Sequence, residues 1–127
     1  MAEAKRKLLL IVEDDPDIQL LLRTVLVKAG YEVAGAVDAM QGLMMARHTP
    51  PDLIILDIMI PAGGGASVYQ RIRQMNALRY IPIVVYSALS TAQIKEKIPG
   101  IDDSAIVNKP ASPMDVLAAI QKILPQD

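Results

Sequence analysis

The stretch LIILDIMIP, Leu53 to Pro61, decides the fold. Its first four residues are apolar and rich in branched side chains, with nothing polar between them. A strand with one face in water would alternate, so a continuous run of this length reads as a short strand buried on both faces. Asp57 ends the run. A carboxylate there is costly unless a cation meets it, because taking an unpaired charge out of water carries a large desolvation penalty. Asp57 therefore either caps the following turn or faces a cleft at the carboxyl edge of a sheet.

Leu8 to Val12 has the same character and reads as a second central strand. The residues after it, Glu13-Asp14-Asp15-Pro16-Asp17, start a helix: Asp15 suits the N-cap, Pro16 the first helical position, and Asp17 the positive end of the helix dipole. Ile18, Leu21, Leu22, Val25 and Leu26 make one apolar stripe, and Gly30 supplies the left-handed residue that ends the helix. Tyr31 to Val37 is a weaker strand; Asp38 caps a helix through Ala39, Leu43, Met44 and Ala46 to His48, which Pro50 and Pro51 stop. Beyond the central strand, Pro61 and Gly63-Gly64-Gly65 form a mobile connection to a helix carrying Val68, Ile72 and Met75. Ile81 to Tyr86 is a fourth strand ahead of Ser87. Thr91 to Ile98 is a short helix closed by Pro99-Gly100, and Ala105 to Val107 is a brief fifth strand. Ser112-Pro113-Met114-Asp115 is a capping box opening a last helix whose Val116, Leu117, Ile120, Ile123 and Leu124 face inward.

Strand and helix alternate five times over connections too long for hairpins, which predicts an α/β fold: a doubly wound parallel sheet with helices on both faces. Residues 1–127 fit one domain, with no repeat or linker. Ligands of such sheets bind beyond the carboxyl ends of the strands, where strand order reverses.

The overall charge of −1 gives no footprint for direct nucleic-acid binding. Its distribution is uneven. With Glu13, Asp14, Asp15, Asp17 and Asp57 set aside, nine acidic residues remain against 13 basic ones, so negative charge is concentrated where a cation would sit. The chain has no cysteine, hence no disulfide or thiolate chemistry. Its first apolar run is too short for a secretion signal, and no run reaches the roughly 20 residues needed to span a bilayer, so a cytoplasmic location without membrane contact is expected. With no Phe or Trp, the core must use Leu, Ile, Val, Met and Ala, and the seven methionines read as core filler. His48, in the last turn of its helix, reads as a solvated dipole partner.

At the strand ends stand Glu13, Asp14 and Asp15 after the first, Asp57 after the third, Ser87 after the fourth and Lys109 after the fifth. A nucleotide-binding loop would place glycines after the first strand; an acidic loop repels phosphate unless a divalent metal comes first. Carboxylates without His or Cys suit a hard ion such as Mg²⁺. Metal, carboxylate, hydroxyl and lysine together make a phosphoryl-transfer constellation.

These residues resemble the receiver domains of two-component response regulators. VEDD (Val12 to Asp15), DIMIP (Asp57 to Pro61), Gly65, Ser87-Ala88 and Lys109-Pro110 are similar to that family's motifs in order and spacing, over nearly the whole chain. The resemblance implies a CheY-like, flavodoxin-like five-stranded sheet in the order 2-1-3-4-5, the topology such proteins exemplify. It implies that Asp57 accepts a phosphoryl group from a histidine kinase or phosphotransfer protein, and that Glu13, Asp14, Asp57 and the backbone carbonyl of Met59 ligate Mg²⁺. No organic cofactor is implied. Ser87 and Lys109 would contact the phosphoryl group, the Lys109-Pro110 bond would be cis, and a downstream target or output domain would read the result, with homodimerisation open. Such a switch catalyses its own phosphorylation and is not otherwise an enzyme. Three features depart from the pattern: Ile106 replaces the aromatic that partners Ser87 in switching, Ala111 replaces a frequent Phe, and Pro99-Gly100 shortens the fourth helix. They motivate a rival reading, a pseudo-receiver that binds proteins independently of phosphorylation. An Asp-nucleophile hydrolase would place a second acid where Met59 stands.

Overall fold

The computed structural model describes residues 5–60 and 64–125. Pro61 and Gly63, read above as part of a mobile connection, lie outside the described residues. Five parallel strands, β1 (Leu8–Val12), β2 (Glu32–Ala36), β3 (Leu53–Leu56), β4 (Ile83–Ser87) and β5 (Ile106–Asn108), form one sheet in the order β2-β1-β3-β4-β5. The helices α1 (Pro16–Lys28), α2 (Ala39–His48), α3 (Gly65–Gln74), α4 (Thr91–Lys97) and α5 (Pro113–Ile123) alternate with them. In register, Val12 lies beside both Ala36 and Leu56, Leu56 beside Val85, and Ser87 beside Asn108, so the strands' carboxyl ends form one edge.

Alternate residues of the central strands feed opposite layers, which is why their sequences are continuously apolar. Leu9, Ile11, Leu53, Ile55, Val84 and Tyr86 meet Leu22, Leu26, Val116 and Ile120 of α1 and α5. Leu10, Val12, Ile54, Leu56 and Val85 meet Ala46, Val68, Ile72 and Ile94 of α2, α3 and α4. Fully burying each large aliphatic side chain stabilises the fold by roughly 1.5–3 kcal/mol.

Local sequence accounts for most boundaries. Asp15 caps α1 by accepting the amides of Asp17 (2.8 Å) and Ile18 (3.4 Å), and Gly30 ends the helix region at φ 103°. Ser112 and Asp115 form the expected capping box on α5. The strand expected over Tyr31 to Val37 is shorter, because the Tyr31 amide bonds the Leu26 carbonyl of α1 and the Val37 amide bonds the Gln41 side chain of α2. The fifth strand is displaced to Ile106–Asn108, since Ala105 closes a 3₁₀ turn capped by Asp102. The fourth starts at Ile83 and includes Ser87.

Two expectations about the core are overturned. Leu21 is 56% exposed: it sits about 100° from Leu22, off the face that Leu22 and Leu26 bury. No described methionine belongs to the buried core. Met40, Met44, Met59 and Met114 are exposed, and Met45 and Met75 are partly buried. Leu, Ile and Val, with Ala36, Ala39, Ala46, Tyr31 and Tyr86, fill the two layers, and Met45 and Met75 only pack against the edge of one of them.

Tyr31 is fully buried, with its hydroxyl unbonded among the described residues. An unsatisfied buried hydroxyl destabilises by about 1–3 kcal/mol. Tyr31→Phe, which keeps the ring, is therefore expected to raise the urea midpoint, and a lowered midpoint would contradict that assignment.

Candidate functional site

Each strand of the central pair delivers an acid to the same edge. Glu13 follows β1; its amide bonds the Ala36 carbonyl (2.9 Å) and the residue is 2% exposed. Gln19 of α1 fastens this corner from beneath, its side-chain nitrogen donating to the carbonyls of Ile11 (3.1 Å), Glu13 (3.1 Å) and Ala36 (2.9 Å). Asp57 follows β3, tied by its amide to the Val12 carbonyl (3.0 Å), and is 6% exposed. Asp14 is exposed. Carboxylate oxygens of Glu13, Asp14 and Asp57 all lie within 4.8 Å of one another.

Lys109 enters from β5, its own amide bonded to the Ser87 carbonyl (2.7 Å) and its peptide bond to Pro110 cis. Its ammonium donates to Glu13 Oε1 (2.5 Å) and Asp57 Oδ2 (3.0 Å) and lies 5.1 Å from the centre of the Tyr86 ring. The other oxygen of Asp57, Oδ1, accepts the Met59 amide (3.0 Å). One oxygen of Asp57 thus caps the turn after β3, and the other meets the cation that a buried carboxylate at this edge requires.

Burial holds the Glu13 carboxyl above the usual carboxylate range; the Lys109 and Asp15 hydrogen bonds only partly offset this, and the Asp57 charge adds to it. Burial alone would lower the Lys109 ammonium, but its bonds to Glu13 and Asp57 outweigh that and hold it above its ordinary value. One ammonium between two buried carboxylates leaves the pocket with an unbalanced negative charge. The donor set is oxygen only, closely spaced and anionic, which fits a hard divalent cation.

The remaining sequence-derived residues are placed differently. Ser87 is fully buried at the same edge, but its Oγ accepts the Leu89 amide (3.3 Å) and stands outside the Lys109 hydrogen-bonded cluster among the described residues. The Met59 side chain is 62% exposed. Ile106 is half-buried, beside Val85 in register and packed on the α2, α3 and α4 layer. Two residues that sequence reasoning passed over, Gln19 and Tyr86, support the site. Gln19 is polar at a position close to the α1 stripe, the one local signal available; Tyr86 looks like any member of an apolar strand.

Gly65, read as the glycine before the third helix, is the first residue of α3. Its amide bonds the Ile58 carbonyl (2.9 Å), and a Cβ there would lie 2.2 Å from the Asp57 carbonyl oxygen. Backbone meets backbone at that point, so no rotamer change relieves the clash. Gly65→Ala is expected to lower stability by about 1–3 kcal/mol, the range for overpacking, and denaturant titration checks it. An unchanged midpoint would rule out the close approach.

Residues 9–121 match the response regulator receiver domain family. The chain is 39% identical over 118 residues to the DNA-binding dual master transcriptional regulator RpaA of Synechocystis sp., covering 91% of this chain and 48% of that protein. Against the sensor histidine kinase TmoS of Ectopseudomonas mendocina it is 31% identical over 115 residues, 91% of this chain but 12% of the kinase. The chain therefore spans about half the length of the transcriptional regulators it matches. Among solved structures, chemotaxis response regulator CheY4 of Vibrio cholerae superposes with a TM-score of 0.86 at 25% identity, over 94% of this chain and all 100% of that one. The receiver domain of a Pseudomonas aeruginosa sensor histidine kinase, solved with a magnesium ion in its active site cleft, gives 0.81 at 26% identity over 93% and 97% of the two chains. No described helix is long and apolar enough to cross a membrane. Transcriptional regulators and a sensor kinase share with these 127 residues the receiver itself, and the chain belongs to the response regulator receiver domain family.

Proposed function

We propose that residues 1–127 act as one receiver domain in which Asp57 is the phosphoacceptor. The observation that carries this reading is the meeting of Glu13, Asp14 and Asp57 around one pocket, with the Lys109 ammonium bonded to two of them. Glu13, Asp14, Asp57 and the Met59 carbonyl would hold Mg²⁺, which when bound supplies charge neutralisation for the phosphoryl oxygens. A carboxylate oxygen of Asp57 attacks phosphorus. An O–P bond forms as the donor's bond to phosphorus breaks, giving an aspartyl phosphate and the departing donor. Lys109 follows the negative charge from the bare carboxylate to the phosphoryl oxygens. Ser87 must leave the Leu89 amide to donate its hydroxyl to the same group.

The physiological donor in this reading is a histidine kinase or phosphotransfer protein in the cytoplasm, and the recipient of the signal is a protein target, an output domain or a second copy. The protein promotes only its own phosphorylation and dephosphorylation. Incubation with acetyl phosphate and Mg²⁺, followed by intact mass and by borohydride conversion of aspartyl phosphate to homoserine, tests it. One added phosphoryl group mapped to Asp57 is the expected result. No addition would leave the pseudo-receiver reading, which the aliphatic Ile106 favours, and continuous release of phosphate would mean a hydrolase.

The phosphorylated form is expected to be long-lived. Met59 and Leu89, two residues beyond Asp57 and Ser87, offer no polar side chain to orient an attacking water, and Leu89 packs against the apolar core. After acetyl phosphate is removed in the presence of Mg²⁺, the added mass should persist for many minutes; loss within seconds would refute this.

A further inference from the structure

Ile106 has no ring to swing and no polar atom to report what happens at Lys109, yet an aromatic side chain touches that lysine from another direction. Tyr86, next to Ser87 on β4, is 6% exposed and belongs to the layer covered by α1 and α5, whereas Ile106 packs on the opposite layer. The face of its ring lies toward the Lys109 ammonium at 5.1 Å. Its hydroxyl donates to the Ala111 carbonyl (2.8 Å), two residues past Lys109. Ala111 leads directly into the α5 cap, where the Ser112 amide is held by Asp115 (3.0 Å) and the Met114 amide by the Ser112 hydroxyl (3.0 Å).

We propose that Tyr86 is the positioning residue for Lys109 and the link from Lys109 to the start of α5, through its ring face at one end and its hydroxyl bond to Ala111 at the other. A buried phenol has few ways to move: sliding the ammonium across the ring face changes what the ring can pack against, and the hydroxyl carries that change to Ala111. When Lys109 turns from the Asp57 carboxylate toward an added phosphoryl group, the loop into α5 responds, and this chain sends its signal through the α1 and α5 layer. The signalling step rests on the reading of Asp57 as phosphoacceptor. The structural link does not.

The link is tested first in the unphosphorylated protein, by amide hydrogen exchange at Ser112 and Met114 normalised to the amides of β3. Tyr86→Phe and Lys109→Met are each expected to speed exchange there about fivefold, the equivalent of one hydrogen bond, and the double variant is expected to add little to either. Independent, additive effects, or no change at Ser112 and Met114, would overturn the link whether or not the protein takes phosphate. The positioning role is tested by uptake from acetyl phosphate. Tyr86→Leu, which removes the ring, should slow uptake about tenfold, in keeping with a desolvated cation–π contact, and Tyr86→Phe, which restores the ring, should recover most of that loss. Equal rates for Leu and wild type would overturn the positioning role; absence of uptake by wild type itself would instead count against Asp57.

Discussion

Replacing Lys109 with methionine is expected to lower the stability of the fold by about 3–5 kcal/mol at neutral pH, the range for breaking a buried ion pair by removing one partner. The side chains involved are 16% exposed for Lys109, 3% for Glu13 and 8% for Asp57, so solvent screens them little. The variant keeps most of the aliphatic stem and removes only the charge that makes two adjacent buried acids tolerable. The pH dependence distinguishes this cause from lost packing. Glu13 in the folded chain holds its proton above the ordinary value of 4.5, so between 4.5 and its folded value the folded form binds more protons than the unfolded form, and stability falls as pH rises through that window. Without Lys109 to oppose it the window widens, and the deficit of the variant shrinks as pH is lowered from about 7 toward about 5. In wild type, the contribution of Lys109 is fully present below its ordinary value of 10.5 and is lost only as pH rises through its higher folded value. Urea titrations of both proteins across this range decide the matter; a deficit that stays constant with pH would show that packing, not charge, is what Lys109 supplies.

The alternation of strands and helices was legible because the physics behind it is local, whereas the strand order 2-1-3-4-5 followed only from the resemblance to receiver domains. Strands buried on both faces must be apolar throughout, as Leu8–Val12 and Leu53–Leu56 are, and helix starts announce themselves through Asp15-Pro16 and Ser112-Pro113. Charged residues at the ends of such strands stand out for the same reason. What escaped depends on contacts between distant residues. Whether Ser87 Oγ faces Asp57 or the Leu89 amide is a rotamer choice with no signature in sequence. Tyr86 reads as core until the register that sets it beside Val107 brings Lys109 and Ala111 to its ring and hydroxyl. Composition misled on most of the methionines: absence of Phe and Trp implied that Met must fill space, whereas the two layers close mainly on Leu, Ile and Val with Ala and two tyrosines, Met45 and Met75 pack only at the margin, and Met40 and Met44 line an open groove between α2 and β2.

Asp57→Asn is expected to abolish phosphoryl uptake while leaving the fold within about 1 kcal/mol of wild type, a range consistent with keeping the bond from the Met59 amide and losing the one from Lys109, which retains Glu13 as its partner. The amide oxygen still accepts the Met59 amide, so the turn after β3 is retained. The lost charge matters less to stability than its position implies, because two buried acids share one ammonium; removing Asp57 leaves Glu13 and Lys109 paired one to one. The Asp57 charge also raises Glu13, so the Glu13 carboxyl should fall toward its ordinary value in the variant, which carboxyl NMR shifts across an acid titration would reveal. Chemistry is affected quite differently. An amide oxygen carries no negative charge to attack phosphorus, and one of three carboxylates around the cation pocket is gone, so Mg²⁺ affinity should drop together with uptake. Lys109→Met and Asp57→Asn thus separate what the cluster does for the fold from what it does to a phosphoryl group: the lysine variant is expected to lose stability in urea and to slow uptake from acetyl phosphate as well, the aspartate variant to keep its fold and lose uptake alone. Uptake by Asp57→Asn at the wild-type rate would move the acceptor to another residue, with Asp14, the exposed member of the cluster, as the next to test.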